Sequence, residues 1–551
     1  MDFKPHADKL LFLPLGGSNE IGLNLNLYQF QGKWIAVDFG IGFTGGKIPG
    51  VDIMVPNIDF LTEIKDDLLG MFITHAHEDH YGAIPYLWNE LECPLYATPF
   101  TATMLESKMA GIGVKSKLPI TLVESGKTYD LAPFSCEIIE MTHSVPEMHA
   151  IAIRAGGETI VHTGDWRLDP APTIGSLSDE NRLKEIGDEG VLALLCDSTN
   201  VHVEGKAESE TMVGENLAKI IKKCDGKVAV ATFASNVARV ESIVKAGREA
   251  GRKIGLAGRS LWRVTQAAQE NGYLQGVEFL TEDQAASVPR NELLLICTGC
   301  QGEDRAAMGK LAYGKHRTLK LSKGDTVIFS SKIIPGNHLP AYAIQNQFIK
   351  QGIEVITEQD DLVHVSGHPG RDELKCLYEL VRPKVAIPVH GEARHIHEHA
   401  VFAKEKMGVP QVVEIRNGVV LDIAAVKKIG NVKVGTTAID GSSLIDSGSG
   451  VLKTRSKMEN SGCVCVSLVM DKSRDLVTSP MVSAPGLLSD EDDEDILMAI
   501  SEDVESLVED ITRSKKNSGK PLHTSIRHAV RKFIKRELDK NPVIEIHVLR
   551  V

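Results

Sequence analysis

Three histidines and two acids fall within the run Thr74-His75-Ala76-His77-Glu78-Asp79-His80. Neutral imidazoles and carboxylates are the ligands zinc prefers, at about 2.0–2.2 Å. The alternate residues His75 and His77 can hold one ion, and the close pair Asp79 and His80 can hold a second. A solvated polar loop has no need of so dense a ligand set at the end of an apolar run. The pattern recurs at His143, in Met141-Thr142-His143-Ser144, and at Asp165, in Val161-His162-Thr163-Gly164-Asp165. Alone, each would more often be a satisfied polar residue; beside the first cluster they read as ligands. His390, in Pro388-Val389-His390-Gly391-Glu392, completes a set of seven. Seven ligands suit two ions with one carboxylate bridging, roughly 3.5–4 Å apart, which can clamp an in-line displacement at phosphorus. Acyl chemistry at the same centre stays open. Asp38 reads as a carboxylate that fixes a ligating histidine, or as a turn residue before Gly40.

These residues must be delivered by the elements before them. Residues 68–73 read as a short buried strand, and the ligand loop spills from its C-terminal end, where open α/β sheets place their ligands. Strands are expected at residues 11–15, 23–27, 34–37, 94–97, 135–140, 150–154, 159–162 and 191–195, with a helix over 81–90. From about residue 203 helices and strands alternate, which predicts a separate parallel-sheet domain. Strands at 353–356 and 362–365 follow, then a helix over 371–381, a strand over 385–389 and a histidine-rich helix from Glu392. The histidines of that helix (His395, His397, His399) read as a solvated face. Residues 422–462 are rich in glycine and serine and read as an exposed linker. Beyond them, a strand at 463–470, a helix opened by the acidic run 490–495, a basic helix over 523–540 and a strand at 543–548 predict a small α+β domain. Acids in a first helical turn suit the helix dipole. The basic helix could meet RNA, or present a solvated face to a partner.

Length sets the scale for this plan: 551 residues accommodate three or four domains at roughly 150 residues each. Hydrophobic content of 42% and charge of 25% are those of a soluble globular chain. No apolar run reaches the roughly 20 residues that a membrane span needs. The start Met1-Asp2-Phe3-Lys4-Pro5 lacks a signal peptide's plan. The nine cysteines form no disulfide framework, so reduced thiols in a cytoplasmic protein are expected. A net charge of −13 lacks the basic footprint of most phosphate binders. A locally basic channel, or bound metal, can supply positive charge that the formal count misses.

The motif His75-x-His77-x-Asp79-His80, with Asp38, His143 and Asp165, resembles the metallo-β-lactamase superfamily. The middle insertion, with Asp197 and His368 and followed by His390, resembles its β-CASP branch, which acts on nucleic acids. Closer still, Leu15-Gly16-Gly17-Ser18-Asn19-Glu20-Ile21-Gly22, the 75–84 segment, Cys196-Asp197-Ser198-Thr199-Asn200, residues 364–368 and Pro388-Val389-His390-Gly391-Glu392 resemble the ribonuclease J family over most of residues 10–425. The resemblance implies an α/β fold: a metallo-β-lactamase αββα sandwich (1–204 and 363–425) with an inserted β-CASP α/β domain (205–362). A linker (426–462) and a small C-terminal α+β domain (463–551) follow. It implies two Zn²⁺ per subunit, with Mn²⁺ or Mg²⁺ as alternatives in the cell. His75, His77 and His143 would hold one ion and Asp79, His80 and His390 the other, with Asp165 bridging and Asp38 orienting them. Asp197 and His368 would belong to the β-CASP motifs, with His368 the general acid for the departing 3′ oxygen. A histidine suits that task because its pKa lies near working pH. His364, Val365, Ser366, Gly367 and His368 would line the substrate phosphates. Ala234, Ser235 and Asn236 would join Ser366 and Gly367 around a terminal 5′ phosphate; Ser235 and Asn236 also suit a helix cap before Val237.

The expected activity is therefore a cytoplasmic, metal-dependent 5′→3′ exoribonuclease with endonuclease action, in RNA maturation and decay. Its expected partners are single-stranded RNA with a 5′-monophosphate, further copies of the chain in a homodimer or homotetramer, and RNA-decay proteins, but no membrane. Two rivals have different signatures. A small-molecule metallohydrolase of the same fold would not need the long insertion or the 364–368 loop. An inactive RNA-binding scaffold would lack one of the expected ligands.

Overall fold

The apolar runs of the first two hundred residues, with four later strands, pair into two facing sheets. One runs in the order Lys427–Asn431, Val419–Asp422, Leu11–Gly16, Leu25–Phe30, Lys33–Val37, Leu68–Phe72, Leu95–Ala97, Ile120–Leu122. The other runs Thr128–Leu131, Phe134–Glu140, His149–Ala155, Glu158–His162, Ala193–Asp197, Val385–Val389, Gln411–Val412. The structure is a computed structural model and describes residues 8–114, 116–489, 493–513 and 521–551. The first seven residues and the first half of the acidic run, 490–492, lie outside the described residues.

Strand alternation divides the side chains between two cores. In His149–Ala155, Ile151 and Ile153 point between the sheets, where they meet Phe12, Tyr28, Val37 and Phe72. Ala150 and Ala152 point the other way, under Leu183 and Ile186 of the helix Glu180–Glu189 and Leu374 and Leu377 of the helix Arg371–Val381. Each large apolar side chain buried this way contributes about 1.5–3 kcal/mol. The strands Lys33–Val37 and Leu68–Phe72 pair in parallel, as do Glu158–His162, Ala193–Asp197 and Val385–Val389. Parallel pairing sets their C-terminal ends along one edge of the sandwich.

Between Asp197 and Val385 the chain builds a third, fully parallel sheet in the order Lys253–Ala257, Leu293–Cys297, Val228–Ala231, Thr326–Phe329, Glu354–Ile356. Its strands are short continuous apolar runs because helices such as Val237–Glu249 and His338–Lys350 cover them. Residues 362–365, expected as a strand, are irregular. Their backbone instead meets side chains: Arg239 Nη1 donates to the Val363 carbonyl at 3.0 Å.

By compactness the chain divides into two units. One comprises the residues up to Phe43 with Ile53–Thr436, and the other Thr44–Asp52 with Thr437–Val551. The second unit is a three-stranded sheet in the order Met481–Ser483, Cys463–Met470, Val543–Arg550, in which the last two strands are parallel. The helices Glu494–Arg513 and Leu522–Leu538 cover one face, packing Val504, Val508, Val530 and Ile534 on Val464, Val466 and Leu468.

Two expectations need correction. Residues 426–462 are folded rather than an exposed linker: they carry the strand Lys427–Asn431, the hairpin Thr436–Asp440 with Ser443–Asp446, and the helix Gly450–Ser461. Their glycines and serines are turn and cap chemistry. Ser449 caps the helix through the Leu452 amide, and Gly441, at φ +62°, turns the hairpin. The histidine-rich helix, Ala393–Val401, is a solvated face at His397 but not at its other two histidines. His395 and His399 are buried, and His399 is held between the Ser198 hydroxyl at 2.9 Å and the Tyr378 hydroxyl at 3.0 Å. Among the described residues, no helix is long and apolar enough to cross a membrane.

Candidate metal centre

Each candidate ligand stands just past a strand end on the common edge. His75 and His77 follow Leu68–Phe72, while Asp79 and His80 ride the short helix Glu78–Tyr81. His143 follows Phe134–Glu140, Asp165 follows Glu158–His162, and His390 follows Val385–Val389. Two residues at this edge adopt left-handed backbone, Asp38 at φ +65° and His390 at φ +50°. Such strain costs about 1–3 kcal/mol in a non-glycine residue and gathers at functional sites. The loops also approach unusually closely: a Cβ on Gly40 would lie 1.6 Å from the Asp79 carbonyl oxygen.

The structure brings His75, His77, His143 and Asp165 into one group and Asp79, His80, Asp165 and His390 into a second, with Asp165 common to both. A third group joins Asp165, Asp197, His368 and His390. In the first, Nδ1 of His77 lies 3.1 Å from Nε2 of His75 and 3.1 Å from Nε2 of His143. Outer partners fix which nitrogen faces inward. The His143 Nδ1–H donates to the Gly367 carbonyl at 2.6 Å. His75 Nδ1 meets the Thr74 hydroxyl at 3.0 Å, and that hydroxyl donates to Asp38. The inward nitrogens of His75 and His143 are therefore lone pairs, and both face Nδ1 of His77, an arrangement that a cation among them would satisfy. In the second group, the His80 Nδ1–H donates to Asp38 Oδ2 at 2.7 Å and the His390 Nδ1–H to Asn24 Oδ1 at 3.0 Å. Both Nε2 atoms thus face Asp165 Oδ2, at 3.2 and 3.5 Å. The other oxygen of Asp165 is buried without a hydrogen-bond partner. A buried, orphaned carboxylate oxygen among inward-facing imidazoles fits divalent cations.

Charge supports the same fit. Burial and the neighbouring imidazoles push His75 and His143 well below the ordinary histidine range, so both are neutral imidazoles. Burial would lower His80 too, but the carboxylates of Asp165, Asp38 and Asp79 outweigh it and hold it well above that range. The carboxylates thus concentrate negative potential where a cation would sit. For His368 burial is likewise outweighed, by Asp197 and Asp165, and its pKa rises to about 9. The His368 Nδ1–H donates to Asp197 Oδ2 at 2.7 Å.

The 364–368 loop lies against this centre. Ser366 Oγ accepts from Asn200 Nδ2 at 2.8 Å and from the His368 amide at 3.2 Å. His364 Nδ1 accepts from Arg239 Nη1 at 3.3 Å, and Val365 is buried. Asn236 caps the helix Val237–Glu249 by accepting from the Arg239 amide at 2.8 Å. That helix reaches the centre where the Ala238 amide donates to the Ser144 carbonyl at 3.3 Å. Ala234 and Ser235 precede the cap and are half-buried. No sequence signal marked several side chains that hold these groups. Asn24 donates to the Asp79 carbonyl at 3.0 Å while accepting from His390. Arg167 spans Ser366 and Asp169, at 3.1 and 2.8 Å, and leaves a buried Nε without a partner. Arg239 and Glu210 form a buried bidentate pair at 2.6 and 2.9 Å. The alternation of Asn24 with leucines in a strand was the one visible hint.

Comparison with known proteins bears on this geometry. Sequence profiles match the metallo-beta-lactamase superfamily over residues 26–179, the ribonuclease J beta-CASP domain over 225–348, a Zn-dependent metallo-hydrolase RNA specificity domain over 352–415, and the ribonuclease J C-terminal domain over 450–551. A ribonuclease J of Sinorhizobium meliloti is 43% identical, with 99% of this chain and 98% of that protein covered. Ribonuclease J of Mycolicibacterium smegmatis is 34% identical (98% and 96% covered), and that of Helicobacter pylori 34% (97% and 78%). Among solved structures, a protein of unknown function from Enterococcus faecalis superposes with a TM-score of 0.52 at 15% identity. The match covers 75% of this chain and 99% of that one, and shows a shared fold.

Proposed function

Because the chain belongs to the ribonuclease J family, a family of metal-dependent ribonucleases, we propose that it degrades RNA from the 5′ end and also cuts internally. The protein is a hydrolytic ribonuclease with a metallo-β-lactamase domain, an inserted β-CASP domain and RNA as substrate. The finer reading is of a cytoplasmic enzyme with two Zn²⁺ per subunit, acting in RNA maturation and decay with RNA-decay partners. It favours 5′-monophosphate ends and works as a homodimer or homotetramer. The observation that carries it is the pair of ligand groups sharing Asp165 beside the Asp197–His368 pair.

In this reading His75, His77, His143 and Asp165 would hold one ion, and Asp79, His80, His390 and Asp165 the other. Bound divalent ions supply Lewis acidity and lower the pKa of water toward neutrality. The chain's own residues do the rest. Asp38, through His80 and Thr74, keeps the imidazoles turned inward. Asp197 anchors His368 by Nδ1, which leaves Nε2 to pass a proton to the departing 3′ oxygen. Ser366 and Gly367, with Ser235 and Asn236, give neutral donors around one terminal phosphate, and a triphosphate brings more charge than such a cradle takes. The test uses 5′- and 3′-labelled RNA with 5′-monophosphate or 5′-triphosphate ends, incubated with Zn²⁺, Mn²⁺ or Mg²⁺. Mononucleotides released from the 5′ end, faster from monophosphate RNA, are expected. Equal rates from both ends would refute the end preference, and release from the 3′ end the direction.

A further inference from the structure

A second cavity opens on the same edge of the sandwich. Its walls follow the next two strands of the first sheet beyond the ligand loop: Thr98 and Pro99 after Leu95–Ala97, and Val123, Glu124 and Ser125 after Ile120–Leu122. The facing sheet adds Ile138 and Glu140 at the end of one strand, Glu147, and His149 at the start of the next. With strands about 4.8 Å apart, the cavity lies roughly 5–10 Å along the edge from the ligand loop. The two sites share a wall, since the His149 amide donates to the carbonyl of Thr74 at 3.3 Å.

The volume is about 190 Å³. That is room for about six waters, less than the roughly 300 Å³ at which drug-sized pockets begin. The hydroxyls in its wall are already engaged as donors, Thr98 to Thr101 at 3.0 Å and Ser125 to the Glu140 carboxylate, so the polar groups left open are acceptors. His149 is 1% exposed; its Nδ1–H donates to the Glu147 carbonyl at 3.3 Å, and its Nε2 is buried without a partner. Burial holds its pKa down to about 4, so that nitrogen is a lone pair. Glu140 is half-buried with a carboxylate at the cavity wall. Both oxygens of Glu147 are engaged, by the Phe100 amide at 2.8 Å and the Tyr273 hydroxyl at 3.2 Å, which fixes that wall. Val123 and Ile138 supply flat apolar surface. A ligand here must be small, partly apolar and rich in donors. It cannot be a phosphate, which carries only acceptors and negative charge.

We propose that this cavity receives a nucleobase of the RNA strand, from a nucleotide adjoining the scissile phosphate, and favours guanine. The proposal rests on the ribonuclease reading, because only an RNA held at the metal centre brings a base to this place. Single-stranded RNA is read through the Watson–Crick edges of splayed bases. Guanine presents two adjacent donors there, N1–H and the N2 amino group, which match the two oxygens of one carboxylate. Adenine turns its N1 lone pair toward the carboxylate, cytosine its N3 lone pair, and uracil a single N3–H flanked by two carbonyls that a carboxylate repels. Losing one hydrogen bond to a charged group costs a factor of roughly 10 or more.

The test has two arms. The full chain is titrated with guanosine, adenosine, cytidine, uridine and spermidine by calorimetry, which needs no cleavage. Stepwise degradation is then followed on 5′-monophosphorylated adenine oligonucleotides carrying a single guanine. Guanosine is expected to bind about tenfold tighter than adenosine, and the guanine to change the step rate at one fixed distance from the cut. Glu140→Gln and, separately, His149→Asn should shrink both differences. Failure of all cleavage would strike the ribonuclease reading but leave the titration to judge the cavity. Binding of spermidine alone would make it an ammonium site and overturn the proposal. So would equal affinity for the four nucleosides, no binding of any at millimolar concentration, or a guanine preference that survives both substitutions.

Discussion

Lys108 is a buried cation on the helix Pro99–Gly111 that neither binds nor faces the candidate ions. Its Nζ pairs with Glu78 and donates to the Gly82 carbonyl at 3.1 Å, over the rings of Tyr81 and Tyr86. It therefore clamps both ends of the short helix that carries Asp79 and His80. Lys108→Met keeps the aliphatic stem and removes the clamp. Metal affinity should fall by roughly 10–100-fold, as is common when an outer partner of a ligand is lost; chelator competition measures this, and Lys108→Arg should restore part of it. His80→Ala should leave one ion per chain in metal analysis and abolish nearly all cleavage, with the far-ultraviolet circular dichroism intact. For His368→Ala, the expected loss is about 10²–10⁴-fold in kcat. KM should change far less; a loss confined to KM would make His368 a phosphate ligand instead. The groups that could hold metal were legible in the sequence because each stands just after an apolar run, and histidine and aspartate in that position have few structural uses. Arg167 and Lys108 were not, and Asn24 showed only as a polar residue alternating with leucines, since their roles depend on partners that the fold brings in from distant segments.

Among elements, the 364–368 loop shows how little slack the centre has. A Cβ on Gly367 would sit 2.6 Å from Cε1 of His143, the ring that donates to the Gly367 carbonyl. Gly367→Ala must therefore turn that imidazole, and weaker metal binding in the group of His75, His77 and His143 is expected in a calorimetric titration. A second contact ties a helix to its sheet. Glu137, on the strand Phe134–Glu140, accepts from Arg182 of the helix Glu180–Glu189 at 2.6 and 3.1 Å and pairs with Arg154 at 2.7 Å. Burial raises its pKa, but the two guanidiniums outweigh that and hold it below the ordinary 4.5. A carboxylate with a lowered folded-state pKa stabilises above its unfolded value, and that stability is lost as pH falls. Glu137→Gln should thus lower the urea midpoint at pH 7, and the gap to the unmutated protein should close below pH 4.5. The five-stranded insertion was legible from its alternating apolar runs and amphipathic helices. The folded segment at 426–462 was not, because glycine and serine mark a tight turn and a helix cap as readily as a flexible tether.

For the whole molecule, the edge strand Val543–Arg550 leaves its outer side unpaired within its sheet among the described residues, with Leu549 57% and Val551 66% exposed. An exposed apolar edge is a template for pairing with a second copy. Leu549→Lys should lower the mass measured by light scattering if this edge joins subunits; an unchanged mass would move the interface elsewhere. A last consequence follows from the hydrogen bond between His390 and Asn24, which joins residues 366 positions apart. Ribosomes add about 5–20 residues per second, so roughly 20–70 s of synthesis separate the two. Until the later residue emerges, a nascent chain has six of its seven candidate ligands and lacks the seventh. A growing polypeptide is therefore expected to spare the message that encodes it, and a chain cut short before His390 to cleave no RNA.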